Sequence, residues 1–227
     1  MKRWTAGAVL LLLLAGCGTA GPDPVGVPSA RPRLEAASSA VRDQAFPTDT
    51  LQDWVTYADR VVAVRLVGEQ RQDGHRTVTW EPQRVVWSNP ARPDQDVPAT
   101  GTAFGGEGDG GEPRLVVGHT YLAVLTHTAL GAGADLPREW VPMVVLPFDD
   151  DLVGDGEAFR GWQGQEELLD AVWGRTGAEV AVLLAATPVE PDARRYASED
   201  ATAKYQHAAH DRHERATPKP GPGPGER

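Results

Sequence analysis

The segments RVVAVRLVGEQ (60–70) and HRTVTWEPQRVVWS (75–88) stand almost back to back, both rich in β-branched and aromatic residues, with only RQDG between them. Strands this close in sequence pair as an antiparallel hairpin, because a parallel crossover needs a dozen or more connecting residues. The pattern continues through QDVPATGTAF, RLVVGHTYLAVLTHT and REWVPMVVLPF, separated by the loops NPARPD, GGEGDGGEP and LGAGADLP. No helical periodicity interrupts them. The expected architecture is therefore mainly β: an OB-like antiparallel β-barrel or a curled sheet, with helices at its C-terminal end. Pro82 inside the second strand predicts a bulge or an edge position, and Gly118 predicts a turn.

Helical signals flank the sheet. Asp49 and Thr50 are cap residues ahead of LQDWVTYA, where Leu51, Trp54, Val55 and Ala58 share a face. After the strands, Leu168, Leu169 and Val172 recur at helical spacing in GQEELLDAVWG. A second helix starts behind Thr176 and stops before Pro188, with Val180, Leu183 and Leu184 on one side. These boundaries give a domain over 46–190, followed by a charged, weakly amphipathic helical segment over 191–215. The last stretch, 216–227, contains PKPGPGPG, cannot contribute a core and reads as a disordered tail. There is no internal repeat.

The other end reads as a targeting segment. Lys2 and Arg3 precede a short apolar run ending at Leu14, then the small residues Ala15 and Gly16 and the chain's one cysteine, Cys17. That run is too short for a transmembrane helix and has the layout of an export signal. Leu14-Ala15-Gly16-Cys17 resembles the lipobox of bacterial lipoproteins. The resemblance implies a signal peptide over 1–16, cleavage before Cys17, a diacylglyceryl thioether on its sulfur, and a lipid-anchored position at the extracytoplasmic face of the cell membrane. Residues 17–45, rich in Gly, Pro, Ser and Ala, then read as a flexible tether. With its one cysteine lipidated the chain has no disulfides, so the core alone must stabilise the domain.

The formal charge is -10, and loss of Lys2 and Arg3 makes the mature chain two units more acidic. Nucleic-acid binding depends on Lys and Arg neutralising phosphates, so this balance excludes it as the expected partner. It also leaves the lipid, rather than a basic patch, to hold the membrane. The bias toward Ala, Arg, Gly, Pro and Val matches a GC-rich bacterial coding sequence, and LQDWVTYAD and VVWS are similar to segments of actinobacterial proteins.

Residues 58–128 also resemble the netrin-like domain shared with tissue inhibitors of metalloproteinases. Ala58-Asp59 matches the pair that opens the first strand there. Val117, Gly118, Tyr121, Leu122 and Val124 match the step that closes its OB-type barrel. The resemblance implies a small barrel with helices at its side. The disulfides and N-terminal metal-addressing cysteine of that family have no counterpart in this domain, so protease inhibition is not implied.

Candidate chemistry is sparse. Asp149, Asp150, Asp151, Asp155 and Glu157 lie in FDDDLVGDGE, a loop with enough carboxylates to suggest calcium but without EF-hand spacing. His207 and His210 share a helix face as a candidate zinc pair, with His213 further round. Trp87 and Trp140, next to loops, are candidates for a ligand platform. His119 and His127 flank a strand, yet no nucleophile elbow accompanies them. The Gly-rich loop carries acids where a phosphate cradle would need Lys. With no catalytic motif and no cofactor implied, the expected function is non-catalytic binding of an envelope protein, peptide or polymer. The alternatives are an envelope enzyme whose site local motifs do not reveal, and a calcium or zinc sensor or carrier.

Overall fold

The computed structural model describes residues 46–72, 75–104, 115–129, 138–154 and 166–217. The expected signal peptide, the tether with Cys17, residues 218–227 of the tail, and Asp155 and Glu157 lie outside them. Helix α1 (Leu51–Tyr57) leads into strands β1 (Arg60–Gln72), β2 (His75–Ser88), β3 (Gly101–Phe104), β4 (Thr120–Ala129) and β5 (Arg138–Pro147). Helices α2 (Glu166–Val172), α3 (Gly177–Ala186) and α4 (Ala201–Ala216) follow.

All strand pairings are antiparallel, in the order β3-β2-β1-β4-β5. The end strands β3 and β5 approach one another without pairing, so the sheet is curled rather than closed into a barrel. Of the two forms expected from the sequence, the curled sheet is the one adopted.

The unbroken apolar run of β1 follows from its central place. Val61 and Ala63 face the helices, whereas Val62, Val64 and Leu66 face the opposite side, and all five are buried. A strand covered on both faces has no polar positions to alternate with. In β4, Leu122 and Val124 join the helical side while Tyr121, Ala123 and Leu125 join the other. The helical side is filled by Trp54, Val55 and Tyr57 of α1, Leu168, Leu169 and Val172 of α2, and Val180 and Leu184 of α3. Val78, Trp80 and Leu115 complete the second cluster within the curl.

Local signals act where the sequence places them. Thr50 caps α1 and Thr176 caps α3. Each accepts a hydrogen bond from the third residue's amide and has its own amide held by that residue's carboxylate. Pro82 stands opposite Val64, beside a register shift. Strand β3 pairs only with residues 77–80 of β2, so the proline's missing N–H interrupts no outer ladder. Gly118 has φ +96° and donates from its amide to Leu66 O at 2.8 Å, a turn that favours glycine. Gly101 lies against Trp80, whose ring would sit 2.0 Å from an added Cβ.

The segment beyond residue 190 is more than an appendage. Ala193, Ala201, Lys204 and Ala208 are buried, and Ala201 belongs to the helical-side core. The weak amphipathicity of α4 has a plain origin: its buried positions are alanines and one lysine, and Tyr205 is its one large side chain packed against the core. Among the described residues no helix is long and apolar enough to cross a membrane.

Candidate functional site

Where α1 ends and β1 begins, the chain turns polar while staying inside. Asp59 is fully buried and receives Oδ2 hydrogen bonds from the His127 amide at 2.7 Å, Arg92 Nη1 at 2.9 Å and the Thr126 hydroxyl at 3.3 Å. Its Oδ1 lies 2.8 Å from Arg92 Nη1 but accepts no directed hydrogen bond. Burial raises the Asp59 pKa, while the His127 amide, Arg92 and Lys204 pull it the other way. Lys204 reaches the same region from α4 and donates to Thr56 O at 2.6 Å. The Asp59 main chain is held too: its amide donates to Leu125 O and its carbonyl accepts from the Asn89 amide. These bonds tie β1, β4, the β2–β3 loop and α4 to one point.

Arg60 points the other way. It is 5% exposed, and its guanidinium donates to the carbonyls of Asp59 at 2.7 Å, Arg92 at 3.0 Å and Pro93 at 2.7 Å. It also lines a groove of about 320 Å³ between residues 82–85 of β2 and residues 95–97 of the following loop. Burial lowers the Arg60 pKa, with Asp59 and then Asp96 among the charges that oppose this.

A second polar group joins α4 to the sheet and α1. Asp200 caps α4 through the Ala203 amide at 3.0 Å, accepts from the Thr128 hydroxyl at 3.3 Å and pairs with Arg138 at 3.1 Å. Glu190 accepts from the Tyr57 hydroxyl at 2.8 Å and pairs with Arg212.

Lys204 gives this arrangement a pH signature. Its pKa is lowered from 10.5 to about 8, first by burial and then against the opposing pull of Asp59. Between these values the unfolded chain keeps a proton that the folded chain has released, so stability rises with pH from about 8 to 10.5. The gain is at most about 3 kcal/mol. Tyr57 works in the opposite sense: burial and Glu190 hold its phenol neutral above the usual value of 10, so stability falls once the unfolded chain ionises. Urea midpoints should therefore climb from pH 8 toward 10 and then decline. The climb should vanish in Lys204→Met; if it persists there, another group is responsible.

The residues singled out in the sequence are dispersed by the fold. Asp149 pairs with His119 Nδ1 at 2.5 Å and accepts from the Thr120 amide at 2.8 Å. Asp151 pairs with Arg84 and accepts from the Gly177 amide at 3.2 Å. Asp150 and Asp151 have left-handed backbones, at φ 53° and 63°. Two of the three described loop carboxylates thus brace the sheet and the start of α3. His207 pairs with Glu199 at 2.7 Å, and His210 with Glu214 at 3.3 Å. Among the described residues no group of three His, Cys, Asp or Glu is placed to hold a metal. Trp87 packs against the helical-side core, whereas Trp140 packs against the other cluster and stacks on His127 at 5.3 Å. The structure therefore does not bring the two tryptophans together as a platform.

Sequence reasoning had little means of finding the Asp59–Arg92–Lys204 cluster, whose members lie in the turn before β1, in the β2–β3 loop and in α4. The one local signal was a charged pair, Asp59-Arg60, between two apolar runs.

No protein-family model, no curated protein and no solved structure matches the chain.

Proposed function

We propose that this chain is a bacterial lipoprotein, anchored by a lipid on Cys17 at the extracytoplasmic face of the cell membrane. Its sheet domain serves as a non-catalytic binding module for an envelope protein, peptide or polymer. The observation that carries the reading is Leu14-Ala15-Gly16-Cys17 behind Lys2, Arg3 and a short apolar run. A thiol can take a lipid through a stable thioether, and a two-chain anchor holds where one acyl chain gives only marginal binding. The binding role draws on the domain's buried charges. Asp59, Arg92 and Lys204 are engaged in tying elements together, while the groove beside Arg60 opens outward.

Cys17→Ala should move the protein from the membrane fraction to the soluble extracytoplasmic fraction and remove the acyl mass. Recovery of the unaltered protein as a soluble, unacylated species would overturn the anchor.

A further inference from the structure

We propose that the groove floored by Arg60 receives a carboxylate, that of a peptide C-terminus. The buried cations near this groove are unequally paired. Arg92 makes the close contact with the Asp59 carboxylate, whereas the buried Arg60 guanidinium turns away from it and has Asp59 and Asp96 only as longer-range counter-charges. Arg60 hydrogen-bonds only to neutral carbonyls, and among the described residues no carboxylate lies within ion-pair distance of it. A buried charge is ordinarily paired, because desolvation without a partner is costly. Here the cation with no close carboxylate among the described residues is a planar guanidinium, fixed in orientation by three carbonyls and bordering a groove. Nη1 serves two of those carbonyls and Nη2 the third, so a carboxylate would take the Nε–H and the second Nη2–H, an edge that matches its two oxygens.

The surroundings narrow the ligand. The groove is at the small end of ligand-site volumes, enough for a chain end rather than a folded surface. Its walls are a strand segment and the loop residues 95–97, and they carry the carboxamides of Gln83 and Gln95. Carboxamides complement peptide N–H and C=O groups. Val85, half exposed at the lip, gives an apolar contact for a small side chain. Arg84 adds a second cation, already paired with Asp151, and Asp96 opposes an incoming anion. Asp96 therefore sets an upper limit on affinity, and its removal should strengthen binding.

The proposal deepens the binding-module reading and rests on it for its biological sense. The test is an NMR titration of the full-length chain in detergent with acetyl-Ala-Ala, its C-terminal amide, and acetate. The free acid should shift resonances of residues 82–85 and 95–97 at millimolar concentration, with the amide at least tenfold weaker and acetate weaker than the peptide. Asp96→Asn, an exposed change that leaves the core untouched, should tighten binding of the acid several-fold. No shift with the acid, or equal binding of acid and amide, would overturn the proposal. Acetate matching the peptide would overturn the peptide assignment. The anchor fails separately: a chain that is never lipidated could still bind the peptide, and a lipidated chain could ignore it.

Discussion

Replacing Arg92 by Met should destabilise the domain by roughly 3–5 kcal/mol, the penalty expected when one partner of a buried ion pair is removed. Met preserves much of the side-chain volume, so the loss isolates charge and hydrogen bonding from packing. Asp59 would stay fully buried with its closest cation gone, leaving the His127 amide, the Thr126 hydroxyl and the nearby Lys204 to balance it. The Arg92 bond to His127 O would be lost too. Asp59→Asn alone should also destabilise, for the converse reason: Arg92 and Lys204 would then share the interior without their carboxylate. The double variant should cost less than the sum of the two, because the buried charges that each single change strands are partly removed together. Urea denaturation followed by Trp fluorescence reads all three, with Trp54 fully buried in the same core. A loss below about 1 kcal/mol for Arg92→Met would mean that the pair is worth no more than a surface contact.

The parts of the fold that are legible in the sequence are those written in short windows. The consecutive strands, Pro82 beside a bulge, the caps at Thr50 and Thr176, and the turn at Gly118 each depend on a few neighbouring residues. What the sequence leaves open depends on residues far apart. Whether the sheet closes is decided by how β3 and β5 meet, and the four-residue β3 gives little edge to pair. The ionic cluster spans Asp59, Arg92 and Lys204, and apart from the charged pair Asp59-Arg60 between two apolar runs no local pattern distinguishes its members from solvated charges. Trp87 and Trp140 illustrate the same point from the other side. Both stand next to loops in the sequence, yet they occupy opposite faces of the sheet. A candidate site drawn from proximity to loops fails when the pleat sends its members in different directions.

Ending the domain after Glu190, where the apolar pattern stops, should abolish cooperative unfolding, whereas ending it after Thr217 should preserve it. The difference is α4. Its removal uncovers the core that Ala201 helps to close, and takes Tyr205 from the edge of the Tyr57 ring, 6.0 Å away. It also takes away polar partners supplied by this helix and its cap. Thr56 O loses Lys204, the Thr128 hydroxyl loses Asp200 and Thr202, and Glu190 loses Arg212. An unsatisfied buried group costs about 1–3 kcal/mol, so the losses at Thr56 and Thr128, added to the uncovered core, approach the 5–15 kcal/mol stability of an ordinary domain. Near-UV circular dichroism and urea titration of residues 46–217 and 46–190 make the comparison directly. The longer piece should give a single sigmoidal transition; the shorter should show a shallow, non-cooperative loss of Trp signal. An unchanged transition in 46–190 would make α4 dispensable and reduce the buried Lys204 contact to a passenger. A lysine, however, is rarely taken fully out of water unless the helix carrying it is held there by the rest of the core.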